Sequence, residues 1–516
     1  MVQALHVGKN ALIVNQSALS VVSNNIANMN TEGYSKQRVN LESLVTTTPA
    51  TNTYMQAQAG FGVDIASISR YRDVFLDSYY RDVNSSKNYY DTISTKGLIV
   101  ENISNEFNNT GLSTYINEFF SAANTVSLHP TDETAKTDFA QKASNLATVL
   151  NNVSTQLENA RTTMVGDINN TSTIYSSEAS TYVDTINQLL NDLTNVNKSI
   201  IYQHSTNMGS SSGLLDQRDA LLDQLSQYIP ITVSYNINDG VNVYCGDTAI
   251  IAGTDIVGKF KVNVGDEHNP TVISFEKEDG YVFSANMKEN FGKNGKLAAL
   301  LTLGSDSDSE LSINYILNNL NKIASAMATE VNAVQKMSEG GIKPMASACY
   351  NSSTGQLELA TEDIFTTSDG STTFTAKNIC VNQEILSHPQ KIATAYVEID
   401  EFGKIIAPDE IGNNAIAQAF SDLREKNISD LGGLTFDNFN TTITTDFGSK
   451  LNNANINFET QSNVFTATNE ERESTIGVNL EEELMDLIKF QRAYEASARV
   501  FNAADDLLKT LVNLAR

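Results

Sequence analysis

The sequence predicts a mainly α-helical, elongated, multidomain fold with one or two β-rich side domains inserted into it and with both termini in one α-helical coiled coil. Three observations predict it. Residues 477–516 form a proline-free run with apolar residues at every third or fourth position: Leu480, Leu484, Leu487, Tyr494, Ala498, Phe501, Leu508, Val512 and Ala515, interrupted by Gln491 and Asp505. The first thirty residues carry a matching seam in Leu5, Leu12, Leu19 and Ile26, each seven apart. A sustained heptad stripe is a docking surface that needs another helix. The two ends are therefore expected to pair with each other and with other copies. Finally, all seven prolines lie between Pro49 and Pro408, so both ends are free to run as unbroken helix.

Taken in order, the spacing predicts a first helix over about 3–28, stopped by Asn28, Asn30, Thr31 and Gly33. Loosened periodicity and Thr46-Thr47-Thr48-Pro49 then predict extended segments and loops up to Gly60-Phe61-Gly62-Val63. Helices are predicted over 73–108 and 112–127. His129-Pro130 breaks the pattern, and Thr131-Asp132-Glu133 starts a long helix bearing Phe139, Ala143, Leu146, Leu150, Val153, Leu157, Ala160 and Met164. Periodicity resumes through Ile186, Leu189, Leu193, Val196 and Ile200. Gly209-Ser210-Ser211-Ser212-Gly213 reads as a linker before a short helix over 214–228. Val233, Tyr235 and Ile237, then Asn238-Asp239-Gly240, then Val241, Val243 and Cys245 are a hairpin signature. Strands are expected to about 295, helix over 297–337, and a second strand-rich region over 342–408 with motifs such as Thr372-Thr373-Phe374-Thr375. Helix returns from 413, through 436–470, into the terminal seam.

These elements group into four units. A discontinuous axial domain takes 1–65 with 471–516. A discontinuous helical rod takes 66–230 with 297–340 and 411–470. The β-rich units are 231–296 and 342–410.

Charge and composition exclude several function classes. With 34 basic and 61 acidic side chains the net charge is -27, and a nucleic-acid binder needs a basic face that this chain lacks. The acidity is uneven: residues 1–48 sum to +1 and 477–516 to -2, so the middle carries -26. Near-neutral ends suit contact and a self-repelling middle suits solvent. Cys245, Cys349 and Cys380 are far apart and odd in number, which argues against a disulfide framework or zinc site. No apolar window is long enough to span a membrane, and no signal-peptide pattern opens the chain.

Enzyme signatures are missing. Gly292-Lys293-Asn294-Gly295-Lys296-Leu297 lacks the spacing and hydroxyl of a phosphate loop. Asp306-Ser307-Asp308-Ser309-Glu310 has leucine where a calcium loop needs Gly and Glu, and reads as a solvated turn before a helix. Glu481, Glu482 and Glu483 complement the dipole at a helix start. In Leu214-Leu215-Asp216-Gln217-Arg218-Asp219 the charges are expected to cap a first turn, with Leu221, Leu222 and Leu225 facing the core; a ligand-binding Asp/Arg/Asp set is the alternative. No catalytic residue, metal ligand or cofactor site is expected.

Ser23-Asn24-Asn25-Ile26-Ala27-Asn28 with Thr31-Glu32-Gly33-Tyr34 resembles the N-terminal signature of bacterial flagellar rod, hook and hook-associated proteins. Gly477-Val478-Asn479-Leu480-Glu481-Glu482-Glu483 and Phe490-Gln491-Arg492-Ala493-Tyr494 resemble the matching C-terminal signature. Length, the helix-rich 73–230, the Leu214–Asp219 motif and the helix after the first β region are similar to the FlgK family of hook-associated proteins. The resemblance implies a structural, non-enzymatic protein outside the cell, exported through the flagellar type III apparatus without a cleaved signal. It implies a place at the hook–filament junction. The implied partners are further copies of itself, the hook protein, a second hook-associated protein and a FlgN-type export chaperone at the C-terminal region. No nucleic acid and no membrane insertion are implied.

Isolated terminal helices are marginal in water, so these ends are expected to fold on incorporation, when neighbouring copies complete the seam. The expected assembly interface comprises Leu5, Leu12, Leu19, Asn24, Asn25, Ile26, Asn28, Gly33, Tyr34, Leu480, Leu484, Leu487, Gln491, Tyr494, Phe501 and Leu508. Gln491 and Asp505 would fix register, and the amides of 23–28 would bond across subunits. The alternatives are another axial subunit, of hook or filament, and a secreted adhesin-like protein that binds through a β region.

Overall fold

In the computed structural model the described residues are 2–31, 33–44, 62–104, 111–206, 212–266, 269–305, 309–340, 344–406 and 411–514. The chain opens with helix α1 (Val2–Ala27), then an antiparallel pair, β1 (Gln37–Ser43) and β2 (Val63–Arg70). Five helices and two short turns of helix follow in sequence: α2 (Val74–Ser104), α3 (Leu112–Leu128), α4 (Glu133–Val165), α5 (Thr171–Tyr175), α6 (Glu178–Thr206) and α7 (Ser212–Tyr228) before the first strands, and α8 (Lys288–Phe291) after them. Between these last two lie β3 (Thr232–Tyr235), β4 (Val241–Cys245), β5 (Thr248–Ala252), β6 (Asp255–Ile256), β7 (Lys259–Val264), β8 (Thr271–Glu276) and β9 (Val282–Ser284). They form one sheet in the order β3-β4-β5-β6 and a second in the order β7-β8-β9. Helices α9 (Gly295–Ser305) and α10 (Ile313–Gln335) lead to β10 (Ser338–Glu339), β11 (Met345–Asn351), β12 (Gln356–Leu359), β13 (Phe365–Thr367) and β14 (Ile379–Val381). Then come α11 (Gln383–Ser387), β15 (Ala395–Glu398), α12 (Ala415–Asp422), α13 (Phe436–Ile476) and α14 (Leu480–Leu514).

Two antiparallel helix pairs give the molecule its axis. In one, Asp77 meets Arg472, Tyr80 stacks on Phe465 and Gly97 abuts Leu451, so α13 runs back along α2. The other pairs α1 with α14.

The core lies among α2, α3, α4, α6, α7, α9 and α10. The α4 residues Phe139, Ala143, Leu146, Leu150, Leu157 and Met164 are all buried, as their spacing predicts. Asp132 caps this helix by accepting from the Thr134 N–H. Aromatic rings tie distant segments together: Phe119 contacts Phe120, Phe139 and Phe365, while Phe120 reaches Phe436 and Phe139 reaches Phe420.

Side-chain amides seat the strands on the helices. Asn197 of α6 donates to Val241 O (3.0 Å) and accepts from Val241 N (2.9 Å). Asn187 does the same with Phe260, at 2.8 and 3.0 Å. On α10, Asn332 bonds the backbone of Ile364 and Phe365, and Gln335 bonds Lys391 O and Ala393 N. Each such amide replaces a missing ladder neighbour and leaves the buried backbone paired. Ile364, Phe365, Ile379 and Ile392 join the main helical core, whereas Ala348, Leu357, Ala395 and Val397 form a small core of their own.

Four local expectations need correction. The 297–337 helix is broken between Ser305 and Ile313, where Ser312 caps the second piece through the Tyr315 N–H. Ser212 and Gly213 open α7 and are no linker; Gly209–Ser211, Thr46–Pro49 and Asp306–Asp308 lie outside the described residues. Thr372-Thr373-Phe374-Thr375 is a loop, because Asn378 folds it back by bonding Thr373 O and Thr375 N. The charges of Leu214–Asp219 do not cap the first turn of α7; Asp216, Arg218 and Asp219 are buried in a cluster of ion pairs, as described next.

Candidate assembly interface and its joint

Helices α1 and α14 pack antiparallel within a single chain. Asn25 bonds Glu483, Asn15 bonds Ser497, and Gly8 lies against Phe501. A Cβ at Gly8 would sit 3.3 Å from the Phe501 Cα, so the absence of a side chain sets this close approach. On another face of α1, Val7 lies against Gly62 of the β1–β2 region, and Val14 and Val21 are buried. The terminal unit is thus α1, β1, β2 and α14. The two ends pair within one chain, as their matching seams predict.

The packed seam on α14 shares one heptad series with the predicted one, Leu487, Phe501 and Leu508 being half-buried. The other series is displaced by one residue, to Glu483, Phe490, Ser497 and Ala504, of which Glu483 and Ala504 are 2 % and 5 % exposed. Leu480 and Leu484 remain 40 % and 44 % exposed, and Gln491 and Tyr494 also face outward. Gln491 therefore fixes no register inside this pair. Counting large apolar residues missed the inner series because close helices select small ones: Gly8, Ala18, Ser497 and Ala504. The outer face of α14 keeps Leu484, Met485, Ile488, Val500, Leu507 and Leu511 in solvent. Leu5, Leu12, Leu19 and Ile26 are half-buried on α1.

Asn25 saturates its amide. Its Nδ2 donates to Gln37 O and to Glu483 Oε2, both at 3.0 Å, and its Oδ1 accepts from Gln37 N (3.0 Å) and the Tyr34 hydroxyl (2.8 Å). It is spent inside the chain, which corrects its expected role in bonding across subunits. Asn28 Nδ2 donates to Asn24 Oδ1 (2.9 Å), and Asn24 Nδ2 to the Tyr34 hydroxyl (3.3 Å). Burial, with Asp216 and Glu483 nearby, pushes the Tyr34 phenol up to about 12. Gly33 turns the chain at φ 78°. Lys36 clamps the start of α14, its N–H donating to Ile476 O (2.8 Å) and its Nζ pairing with Glu482 (2.9 Å) and Glu483 (3.2 Å).

Where this unit meets the outer helices lies a buried cluster of five arginines and four aspartates. Arg70 donates to Asp216 (2.6 Å) and Asp219 (3.1 Å), and Arg72 pairs with Asp77 (2.9 Å) and Asp219 (3.2 Å). Arg81 pairs with Asp223 (2.7 Å). Arg218 donates twice to Asp219, at 3.1 and 2.9 Å, and once to Asp239 O. Arg472 donates to Asp77 (2.9 Å) and Asp223 (2.6 Å) while lying over the Tyr80 ring. Burial pushes the Asp219 carboxyl up, but Arg218, Arg72, Arg70 and Arg81 outweigh it and hold it at about 2. The Asp/Arg/Asp motif of α7 is the centre of this cluster; its partners, 70–81 and 472, are too far away in sequence to have been found by spacing. Beside it opens a cleft of about 1120 Å³, lined by Asn30, Tyr34, Tyr80, Gln224, Arg472 and Asn479 among others.

Among the described residues no group of His, Cys, Asp and Glu side chains could hold a metal ion, and no helix is long and apolar enough to cross a membrane.

Comparison with known proteins accounts for this arrangement. Residues 99–339 match the family description "Flagellar hook-associated protein FlgK helical domain". Flagellar hook-associated protein 1 of Bacillus subtilis is 28 % identical over 99 % of this chain and 97 % of its own length. The chain is similar to hook-associated protein 1 over nearly its whole length. The two ends match rod-protein families: residues 5–34 fit "Flagella basal body rod protein" and 472–514 fit "Flagellar basal body rod FlgEFG protein C-terminal". The hook-associated proteins 1 of Escherichia coli and Salmonella typhimurium are 23 % and 24 % identical, each over 97 % of both chains. The structure of the flagellar hook junction protein FlgK from Burkholderia pseudomallei shares the fold, with a TM-score of 0.57 at 12 % identity over 77 % of this chain and all of that one. The rod-protein matches coincide with α1 and α14, and the helical-domain match covers most of the core.

Proposed function

We propose that this chain is a structural subunit of the bacterial flagellum that assembles with its own copies at the hook tip and joins the flexible hook to the rigid filament. One observation carries this reading: likeness to hook-associated protein 1 of Bacillus subtilis runs over 99 % of this chain and 97 % of that one. The outward apolar stripe of α14 supports it, since a helical array of copies needs a heterologous contact surface outside the intramolecular pair.

In this reading Leu480, Leu484 and Tyr494 on α14, with the exposed parts of Asn24, Asn28 and Gly33, face neighbouring copies. Leu5, Leu12, Leu19, Ile26, Leu487, Phe501 and Leu508 hold the terminal pair, and Gln491 rims the outer face. The expected axial unit shifts its boundaries to the links at 71–73 and 477–479, so that β2 belongs to it whole and α13 to the helical unit. The partners are the hook protein below and a second hook-associated protein above. A FlgN-type chaperone holds the C-terminal region before type III export without a cleaved signal. The role is mechanical and no catalytic step is assigned.

Antibody labelling of intact flagella in the electron microscope tests the placement. A single narrow band at the hook–filament boundary is expected. Label along the whole hook or filament would instead make it a bulk axial subunit, and label elsewhere on the cell a surface-binding protein.

A further inference from the structure

The terminal unit joins the rest of the chain through two stretches without regular structure, 71–73 and 477–479. Two covalent links of this kind leave the angle between the units to the non-covalent contacts beside them. On one side lies the arginine–aspartate cluster, and on the other the cleft of about 1120 Å³ bounded by the 29–34 turn, α7 and the end of α13.

We propose that the arginine–aspartate cluster is a lock that fixes the angle of the terminal unit against the outer helices, and that the cleft is the space into which that unit turns when the lock opens. Four separate segments contribute to it. Arg70 ends β2 and Arg72 lies in the link that follows it, Asp77 and Arg81 come from α2, Asp216, Arg218, Asp219 and Asp223 from α7, and Arg472 from α13. Asp219 is the central element, one oxygen facing Arg218 and Arg81 and the other Arg70 and Arg72.

Such a cluster does what an apolar contact cannot. Apolar burial is non-directional and tolerates sliding, whereas guanidinium–carboxylate pairs hold one geometry. Their side chains here are 2–18 % exposed, so salt screens them little. Removing one partner strands a buried charge on the other. Beside the cluster the units meet through the Lys36 N–H to Ile476 O bond and the approach of Gly33 to Ala220, both at the cleft's edge, so the cluster supplies the directional charged contacts that hold the angle. Gly477, at the second link, is extended with φ -69° and ψ 159°. Its Cβ would lie 2.4 Å from Glu473 O, so only glycine lets the chain leave α13 there without a shift.

The lock rests on this chain's own geometry and stands or falls independently of the flagellar placement. Spin labels at Lys489→Cys on α14 and Tyr202→Cys on α6, in a Cys380→Ser background, report the distance between the units in the isolated monomer by electron paramagnetic resonance. The parent is expected to give one narrow distance. Arg70→Gln is expected to broaden or split it while the outer helices melt as before, and Asp219→Asn to broaden or split it while also lowering their melting, since it strands Arg81 and Arg218. If Asp219→Asn does not fold, Arg70→Gln decides, because Arg70 lies outside the outer core. A narrow, unshifted distance in Arg70→Gln overturns the lock, even with a lowered melting temperature, and so does a broad distance in the parent.

Discussion

Asn25 Nδ2 donates to Glu483 Oε2 at 3.0 Å across 458 residues of sequence. The same amide forms a two-bond pair with the backbone of Gln37. One side chain thus binds α1 to the start of α14 and to β1 together.

Asn25→Ala is expected to destabilise the terminal unit by about 2–4 kcal/mol, since it deletes four hydrogen bonds and leaves buried partners unpaired. Asn25→Asp, nearly isosteric, is expected to be worse, because it sets a second carboxylate against Glu483. Amide exchange across α1 and α14 checks both. Equal protection in Asp and wild type would refute the donor role of Nδ2.

Gly8 sets the spacing of the pair. Gly8→Ala should be tolerated with a shift of a few tenths of an ångström, given its 3.3 Å approach to Phe501. Gly8→Leu should cost about 1–3 kcal/mol or more through overpacking. Thermal unfolding monitored at α14 separates the two.

Leu484 and Leu487 divide assembly from stability. Leu484→Asp changes an exposed residue and should leave monomer stability within about 0.5 kcal/mol, yet block incorporation by placing a charge in a contact between copies. Leu487→Asp, half-buried against α1, should lower monomer stability as well. Melting curves alongside polymerisation assays decide; normal junctions built from Leu484→Asp would sink the assignment of the outer stripe.

Lys136 is buried on α4, and its Nζ donates to Ile392 O (3.2 Å) and Gln390 O (3.4 Å). Burial lowers its ammonium to about 8, with Cys349 and Glu133 opposing. The folded chain therefore sheds this proton before the unfolded one, and stability from this site rises with pH between about 8 and 10.5. Below that window the buried charge costs up to about 3 kcal/mol. Relative to Lys136→Met, the wild type should gain stability from pH 8 to 10; a constant difference would rule this out.

Legibility from sequence followed the reach of the interactions. Helix α4 was readable because Phe139 to Met164 repeat on one face and Asp132 caps it locally. The break before Ile313 was partly readable, since the acidic turn stands in sequence while the apolar pattern continues past it. The loop at 372–375 was not, because Asn378 overrides β-propensity there. Of the outer face of α14 the apolar periodicity gave Leu480, Leu484, Tyr494 and Val512, but not Met485, Ile488, Val500, Leu507 or Leu511, which fall off the heptad. The inner series was not legible: Ser497, Ala504 and Glu483 are selected by proximity and by Asn25 and Lys36, which lie more than 400 residues away. The arginine cluster was legible only in its α7 third, for the same reason.

The pairing of α1 with α14 also has a consequence in time. Closing a loop of this length adds little to the entropy cost, which grows only logarithmically, but contacts so remote in sequence form late. The neighbouring helices α3 and α4 can collapse early, as soon as both exist. The axial pair cannot close until residues near 483 meet residues near 25, whichever end arrives first. The chain therefore carries its own delay: the surface that a growing array would meet is the last part of the molecule to be completed.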